Sequence, residues 1–173
     1  IATDAATALA RAEQAAPDAA AAAETAAAAL AATAPCLVVL ERPDHPGFWQ
    51  SGTGSRGRLD EPLEETCRRE VFEETGIDVT QHRLVDWHLE NRYEIYPHWR
   101  GRYPEGTTHN TEHVFGLRVA APVPVVIAPR EHLRFEWLPW EQAAERCFSW
   151  SNVQAIRALP ARVAAADGGS GAP

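Results

Sequence analysis

Apolar Leu63, Cys67 and Val71 recur at i, i+4 and i+8 in the stretch 61–77, EPLEETCRREVFEETGI. That spacing predicts a helix, with Pro62 suited to its first turn and Gly76 to its C-terminal stop. Upstream, the apolar run CLVVLE over 36–41 predicts a short buried strand and RPDHPG a loop. FWQSGTG over 48–54 predicts a second strand leading into a further loop. Aromatic, β-branched and alternating residues predict longer strands over 84–96 and 111–119, and another strand covers 132–138. Pro139 opens a helix to about Cys147, and Ser151 with Asn152 caps a last helix ending near Leu159. The pattern predicts an α/β domain, a mixed β-sheet sandwiched between helices.

The two ends read differently. The first 35 residues are mostly alanine, broken by Asp4, Arg11, Glu13, Gln14, Pro17, Asp18 and Glu24. Alanine favours helix, but without an apolar stripe to dock the expectation is a frayed or solvent-exposed helix interrupted at Pro17. From Ala161 the composition is linker-like, ending DGGSGAP. The expected organisation is an alanine-rich segment 1–35, one domain over 36–160 and a flexible tail 161–173. No basic leader precedes a leucine-rich run, and no window approaches a membrane span, so a cytoplasmic protein is expected. The sequence has no methionine and begins at Ile1. A fragment, or an altered reading frame at the start, fits that.

Charge narrows the partners. The chain carries 24 acidic against 16 basic side chains, a net charge of −8. That argues against nucleic acid, whose phosphates attract clustered lysine and arginine. A phosphorylated small molecule stays compatible where metal ions carry the positive charge. Cys36, Cys67 and Cys147 are scattered and odd in number, which predicts reduced, mostly buried thiols. The seven histidines show no ligand spacing, so no zinc site is expected.

The chemistry concentrates on the helix 61–77. At about 100° per residue, Glu70, Glu73 and Glu74 share one flank beside the apolar stripe. Like charges at i, i+4 repel, so stacked carboxylates imply a cation that holds them. Hard oxygen donors point to magnesium, with manganese as the alternative. An acidic, solvated helix face is the plain reading of such a run, but more positions are fixed here than that reading needs. Arg69 directly precedes Glu70, Gly76 follows Glu74 by two residues, Val71 and Ile77 are apolar, and Glu61 adds a carboxylate upstream.

Together these residues resemble the Nudix box of nucleoside-diphosphate-linked hydrolases. One departure stands out: the box wants glycine six residues before Glu61, where this chain has Ser55, with Gly54 one step further away. A one-residue insertion in the SRGRLD loop accounts for it. More narrowly, FWQS and TGS before the box, EIYPHWRGRYPEGTTHNTEHVFGL after it and APREHLRFEWLPWEQAAERCFSWSN near the end resemble the bacterial dihydroneopterin triphosphate pyrophosphatases. That resemblance covers roughly 40–160.

The resemblance implies a Nudix fold and magnesium-dependent release of pyrophosphate from 7,8-dihydroneopterin triphosphate in folate biosynthesis, leaving the monophosphate. It also implies a side activity on purine deoxynucleoside triphosphates. By position, Glu70 and Glu74 match metal-holding box glutamates, Glu131 a distant third ligand, and Glu73 lies between the first two. Arg69, Glu70 and Glu73 form the catalytic group, and Arg69 is expected to hold the loop by pairing with a carboxylate such as Glu61. Any one of the glutamates could act as general base. Arg42, Thr53 and Ser149 match ligand contacts, and Trp49, Trp99 or Trp150 could stack on a pterin. Glu112 reads as a solvated strand position. Family members open with an additional strand that brings a basic residue to the site, where this chain has alanine-rich sequence. Gly52 is expected to weaken its strand. Three readings stand: a dihydroneopterin triphosphate pyrophosphatase, a general nucleoside triphosphate Nudix hydrolase, and a truncated, inactive Nudix domain. Oligomeric state is left open.

Overall fold

The computed structural model describes residues 34–120 and 122–168. The element order is β1 (Cys36–Glu41), β2 (Trp49–Gln50), α1 (Leu63–Thr75), β3 (Arg83–Glu94), β4 (His109–Arg118), β5 (Phe135–Pro139), α2 (Trp140–Arg146) and α3 (Trp150–Gly168), with 3-10 turns at Val79–Gln81 and Pro97–Arg102. The alanine-rich residues before 34, and with them the question of a replaced first strand, lie outside the described residues.

β1 is the middle strand of a three-stranded antiparallel sheet, ordered β2, β1, β5. Its register with β5 pairs Val38 with Trp137 and Leu40 with Phe135. Two further bonds, Glu41 N–H to Arg134 O and Leu133 N–H to Glu41 O, both 3.0 Å, carry the pairing back towards residue 132. β3 and β4 form a separate antiparallel ribbon. It is bulged between Asp86 and Leu89, where His88 takes a positive φ of 51°. Among the described residues the strands therefore divide into two antiparallel sheets, with one isolated parallel bridge between Trp49 and Cys147.

The core lies between the three-stranded sheet and the last two helices. Val39, Trp49, Ala143, Ala144, Cys147 and Ile156 are buried together, backed by Leu37, Leu138, Trp140 and Val153. α2 begins as expected after Pro139, but α3 runs to Gly168, past the expected end near Leu159 and into the segment read as a flexible tail. Pro160 sits inside it. Proline removes one donor, and the following ARVAAA run has the propensity to carry the helix on. The far end is also tied to the ribbon. Arg118 pairs with Asp167, and the Arg162 guanidinium lies 5.4 Å from the centroid of the Trp87 ring.

The expected strand over 48–54 shrinks to Trp49–Gln50. Beyond it, the backbone donors of alternate residues go to side chains instead of a neighbouring strand. Ser51 N–H donates to Asn152 Oδ1 at 2.9 Å. Thr53 N–H donates to Glu74 Oε2 and Ser55 N–H to Glu70 Oε1, each at 3.1 Å. Spacing by two is what an extended chain requires for donors on one side. Residues 51–55 therefore form an extended rung laid along α1.

Candidate active site

α1 has the boundaries that its terminators dictate. Pro62 caps the front, and Gly76, at φ 69°, closes the end by donating its N–H to Phe72 O at 2.8 Å. The stripe of Leu63, Cys67 and Val71 is only half-buried, whereas Glu74 is 3% exposed. The best-hidden carboxylate of the box is thus held by a hydrogen bond from the 51–55 rung.

The rung approaches so closely that only glycine fits. A Cβ on Gly52 would stand 2.8 Å from Glu74 Oε2, and one on Gly54 1.9 Å from Glu70 Cγ. Gly52 is therefore a point of close approach to a carboxylate, not merely a weak strand residue. Gly54 occupies the packed position although it is one step away from the expected one.

Arg69 organises the other flank. It donates to Glu61 Oε1 at 3.2 Å, Glu70 Oε1 at 2.8 Å, Glu73 Oε2 at 3.0 Å and Ser55 O at 2.8 Å. One guanidinium thus ties the loop, the rung and two helix carboxylates together. Glu61 also accepts the Gly57 N–H at 2.6 Å. Arg69 first, then that amide, hold the Glu61 carboxyl down to about 2.

The segment before β5 brings the remaining groups. Val126 N–H bonds to Thr75 O at 2.9 Å and Ala128 N–H to Glu74 O at 3.3 Å, pinning the segment to the end of α1. Ala128 O then accepts both Glu131 N–H and His132 N–H at 3.0 Å. Glu74, Glu131 and His132 each offer a ligand atom, and these atoms lie within 4.8 Å of one another. Glu70 stands outside that group, its Oε1 taken by Arg69 and Ser55. Burial pushes the Glu74 carboxyl up, against the pull of His132 and the Thr53 N–H.

Histidine spacing does not reveal His132, because its partner Glu74 lies on another element far back in the sequence. His132 is 3% exposed and neither ring nitrogen has a hydrogen-bond partner among the described residues. Oxygen donors on Glu74 and Glu131, together with an orphaned buried imidazole, suit a divalent cation.

Of the expected ligand contacts, Arg42 and Thr53 meet through Gln50, while Ser149 belongs to a separate network. Arg42 grips Asp44 with Nε at 2.9 Å and Nη2 at 2.6 Å and reaches Gln50 Oε1 at 3.1 Å. Gln50 Nε2 in turn donates to Thr53 Oγ1 at 3.0 Å, so Arg42 and Thr53 are linked through a side chain that the sequence did not single out. Ser149 Oγ lies 2.9 Å from Ser151 Oγ, which donates to Glu112 Oε2 at 2.7 Å. Glu112 is therefore half-buried and anchors the start of α3, not a solvated strand position.

Of the three tryptophans considered for stacking, Trp49 is withdrawn from any ligand. It is 2% exposed and flanked by the guanidinium groups of Arg134 and Arg146, 5.2 and 5.1 Å from its centroid. Trp99 carries Arg42 at 5.4 Å. Trp150 is 54% exposed and lines a cleft with Tyr93, Glu94, Ile95, Tyr96 and Pro97 beside Ser149. The thiols of Cys67 and Cys147 are pushed up to about 11 by burial, and all three cysteines are free. Among the described residues no helix is long and apolar enough to cross a membrane.

Known proteins resemble this chain. The dihydroneopterin triphosphate diphosphatase of Escherichia coli strain K12 is 43% identical over 122 residues, 69% of this chain and 79% of that protein. The protein of the same name in Haemophilus influenzae is 36% identical over 123 residues, 70% of this chain and 76% of its own length. The solved structure of the E. coli dihydroneopterin triphosphate pyrophosphohydrolase superposes with a TM-score of 0.64 at 41% identity, covering 70% of this chain and 82% of that one. Residues 23–159 match the NUDIX domain, and the chain belongs to the Nudix family.

Proposed function

We propose that this protein hydrolyses dihydroneopterin triphosphate to the monophosphate and pyrophosphate, in the cytoplasm and with magnesium, through a domain spanning 36–160. The observation that carries the reading is the rung 51–55, closed on α1 by bonds from Thr53 and Ser55 to Glu74 and Glu70. It holds the box carboxylate Glu74, which lies with Glu131 and His132, in a protein 43% identical to a diphosphatase of that substrate.

Glu70, Glu74 and Glu131 would hold the cation, with Glu73 next to them. When bound, it offsets the charge of the triphosphate and lowers the pKa of a bound water. The residues of the chain do the rest. Arg69 keeps Glu70 and Glu73 fixed as acceptors for the proton that the attacking water loses. The Thr53 amide fixes Glu74 in one orientation. Arg42, released from Asp44, offers a planar fork to phosphate, and Thr53 and Ser149 supply hydroxyls. Tyr96 and Trp150 give the cleft aromatic walls suited to a flat, polar ring.

Pyrophosphate release from dihydroneopterin triphosphate, measured beside a panel of deoxynucleoside triphosphates with magnesium or with EDTA, tests this. Metal-dependent turnover favouring the pterin and lost in Glu74→Gln is the expected result. Preference for nucleotides would move the protein to the general nucleoside triphosphate hydrolases, and no turnover from a folded sample would mark an inactive domain.

A further inference from the structure

Resting on the reading that Glu74 and Glu131 hold a cation, we propose that His132 supplies a nitrogen ligand to the same ion, so that the site takes manganese(II) in preference to magnesium.

The imidazole is 3% exposed and, among the described residues, lacks a hydrogen-bond partner on either nitrogen. A histidine placed only to orient Glu74 would aim an N–H at the carboxylate. Here Nε2 stands 3.3 Å from Glu74 Oε1 without the alignment that a hydrogen bond needs. Neighbouring ligands on an ion with bonds of about 2.1 Å lie roughly 3 Å apart, so the separation suits two groups that share a cation. The backbone enforces the convergence. Ala128 O accepts the N–H groups of both Glu131 and His132, and Leu133 N–H is fixed on Glu41 O. The tether from Ala128 N–H to Glu74 O then delivers both side chains to the buried carboxylate.

A nitrogen donor changes the choice of ion. Magnesium keeps to oxygen ligands and sheds water reluctantly, while imidazole suits first-row transition ions. Three carboxylates alone would leave magnesium and manganese poorly separated. An imidazole in the set favours manganese.

The test uses the whole chain with manganese(II) alone, and its readout is pulsed EPR of the bound ion. Nuclear modulation from a coordinated histidine nitrogen is expected, changing to the 15N pattern when histidine is 15N-labelled and vanishing in His132→Gln. That variant should also lose about 10- to 100-fold in manganese affinity and little in magnesium affinity. Bound manganese without histidine modulation would overturn the inference and leave the metal-holding carboxylates standing. Equal manganese affinity in the wild type and Glu74→Gln would overturn both. Where His132→Gln fails to fold, the labelled and unlabelled wild type decide alone.

Discussion

Gly54 lies against Glu70 so closely that a Cβ would stand 1.9 Å from Cγ and 2.6 Å from Oε1. No flexible end can give way there, because the contact is to the stem of the side chain and Oε1 is already held by Arg69 and Ser55. Gly54→Ala must push the rung or the carboxylate aside. A displacement of about 1 Å at a catalytic constellation costs on the order of 100-fold, so kcat/KM should fall by about that factor. Gly57→Ala is the control, since its Cβ would meet Glu61 Oε2 at an ordinary 3.6 Å. Steady-state kinetics of both variants check the contrast; equal losses would mean that the loop tolerates neither change for reasons of folding.

Glu74→Gln should separate activity from stability. Burial raises the Glu74 pKa in the folded protein, so once pH passes the unfolded value of about 4.3 the unfolded chain gives up the proton more readily than the folded one. The resulting destabilisation grows as pH rises through that value. Glutamine removes the charge and keeps an acceptor for the Thr53 N–H. In EDTA at neutral pH the variant should therefore melt no lower than the wild type, while activity with magnesium drops by at least about 100-fold. A melting curve shifted strongly downward would refute the account of Glu74 as a carboxylate held at a cost.

Glu61 behaves in the opposite way. Its carboxyl is held down to about 2 by Arg69 and the Gly57 amide. A lowered carboxylate pKa contributes stability above the unfolded value of about 4.3, lost as pH falls towards 2. Glu61→Gln should melt below the wild type at pH 6 to 7, and the gap should close between about pH 4.5 and 2. Thermal denaturation across that window measures it. Because the same guanidinium also holds Glu70 and Glu73, the variant should lose activity at neutral pH as well.

The parts of this site that were legible in the sequence are those set by local stereochemistry. Pro62 and Gly76 bound α1 where they must, and the Arg69 to Glu61 pair arises because the helix folds back on the loop just before it. The groups that escaped depend on contacts between distant segments. His132 meets Glu74 only because bonds from Val126 and Ala128 carry the pre-β5 segment to the end of α1. Gly52 read as a weak strand residue because period and propensity do not register a carboxylate lying 2.8 Å from its missing Cβ. α3 outran its expected end because Pro160 costs one donor while Arg118 and Trp87 hold the turns beyond it.

Trp150 offers a prediction about the substrate's ring as distinct from its phosphates. It is 54% exposed at the start of α3, next to Ser149 and lining one cleft with Tyr93 and Tyr96. Its buried neighbours Ser151 and Asn152 hold the helix start through Glu112 and the Ser51 amide, so truncating the exposed ring should leave the fold intact. Stacking of a base on an aromatic side chain is worth about 1–3 kcal/mol. Trp150→Ala should therefore raise KM for dihydroneopterin triphosphate by roughly 5- to 150-fold, with kcat little changed because the carboxylates and Arg69 are untouched. Trp150→Phe should recover most of the loss. Inorganic triphosphate, which has no ring, supplies the internal check: its inhibition constant should be the same in wild type and variant. A rise in both values would place Trp150 with the phosphates, and a fall in kcat alone would make it a structural support for Ser149.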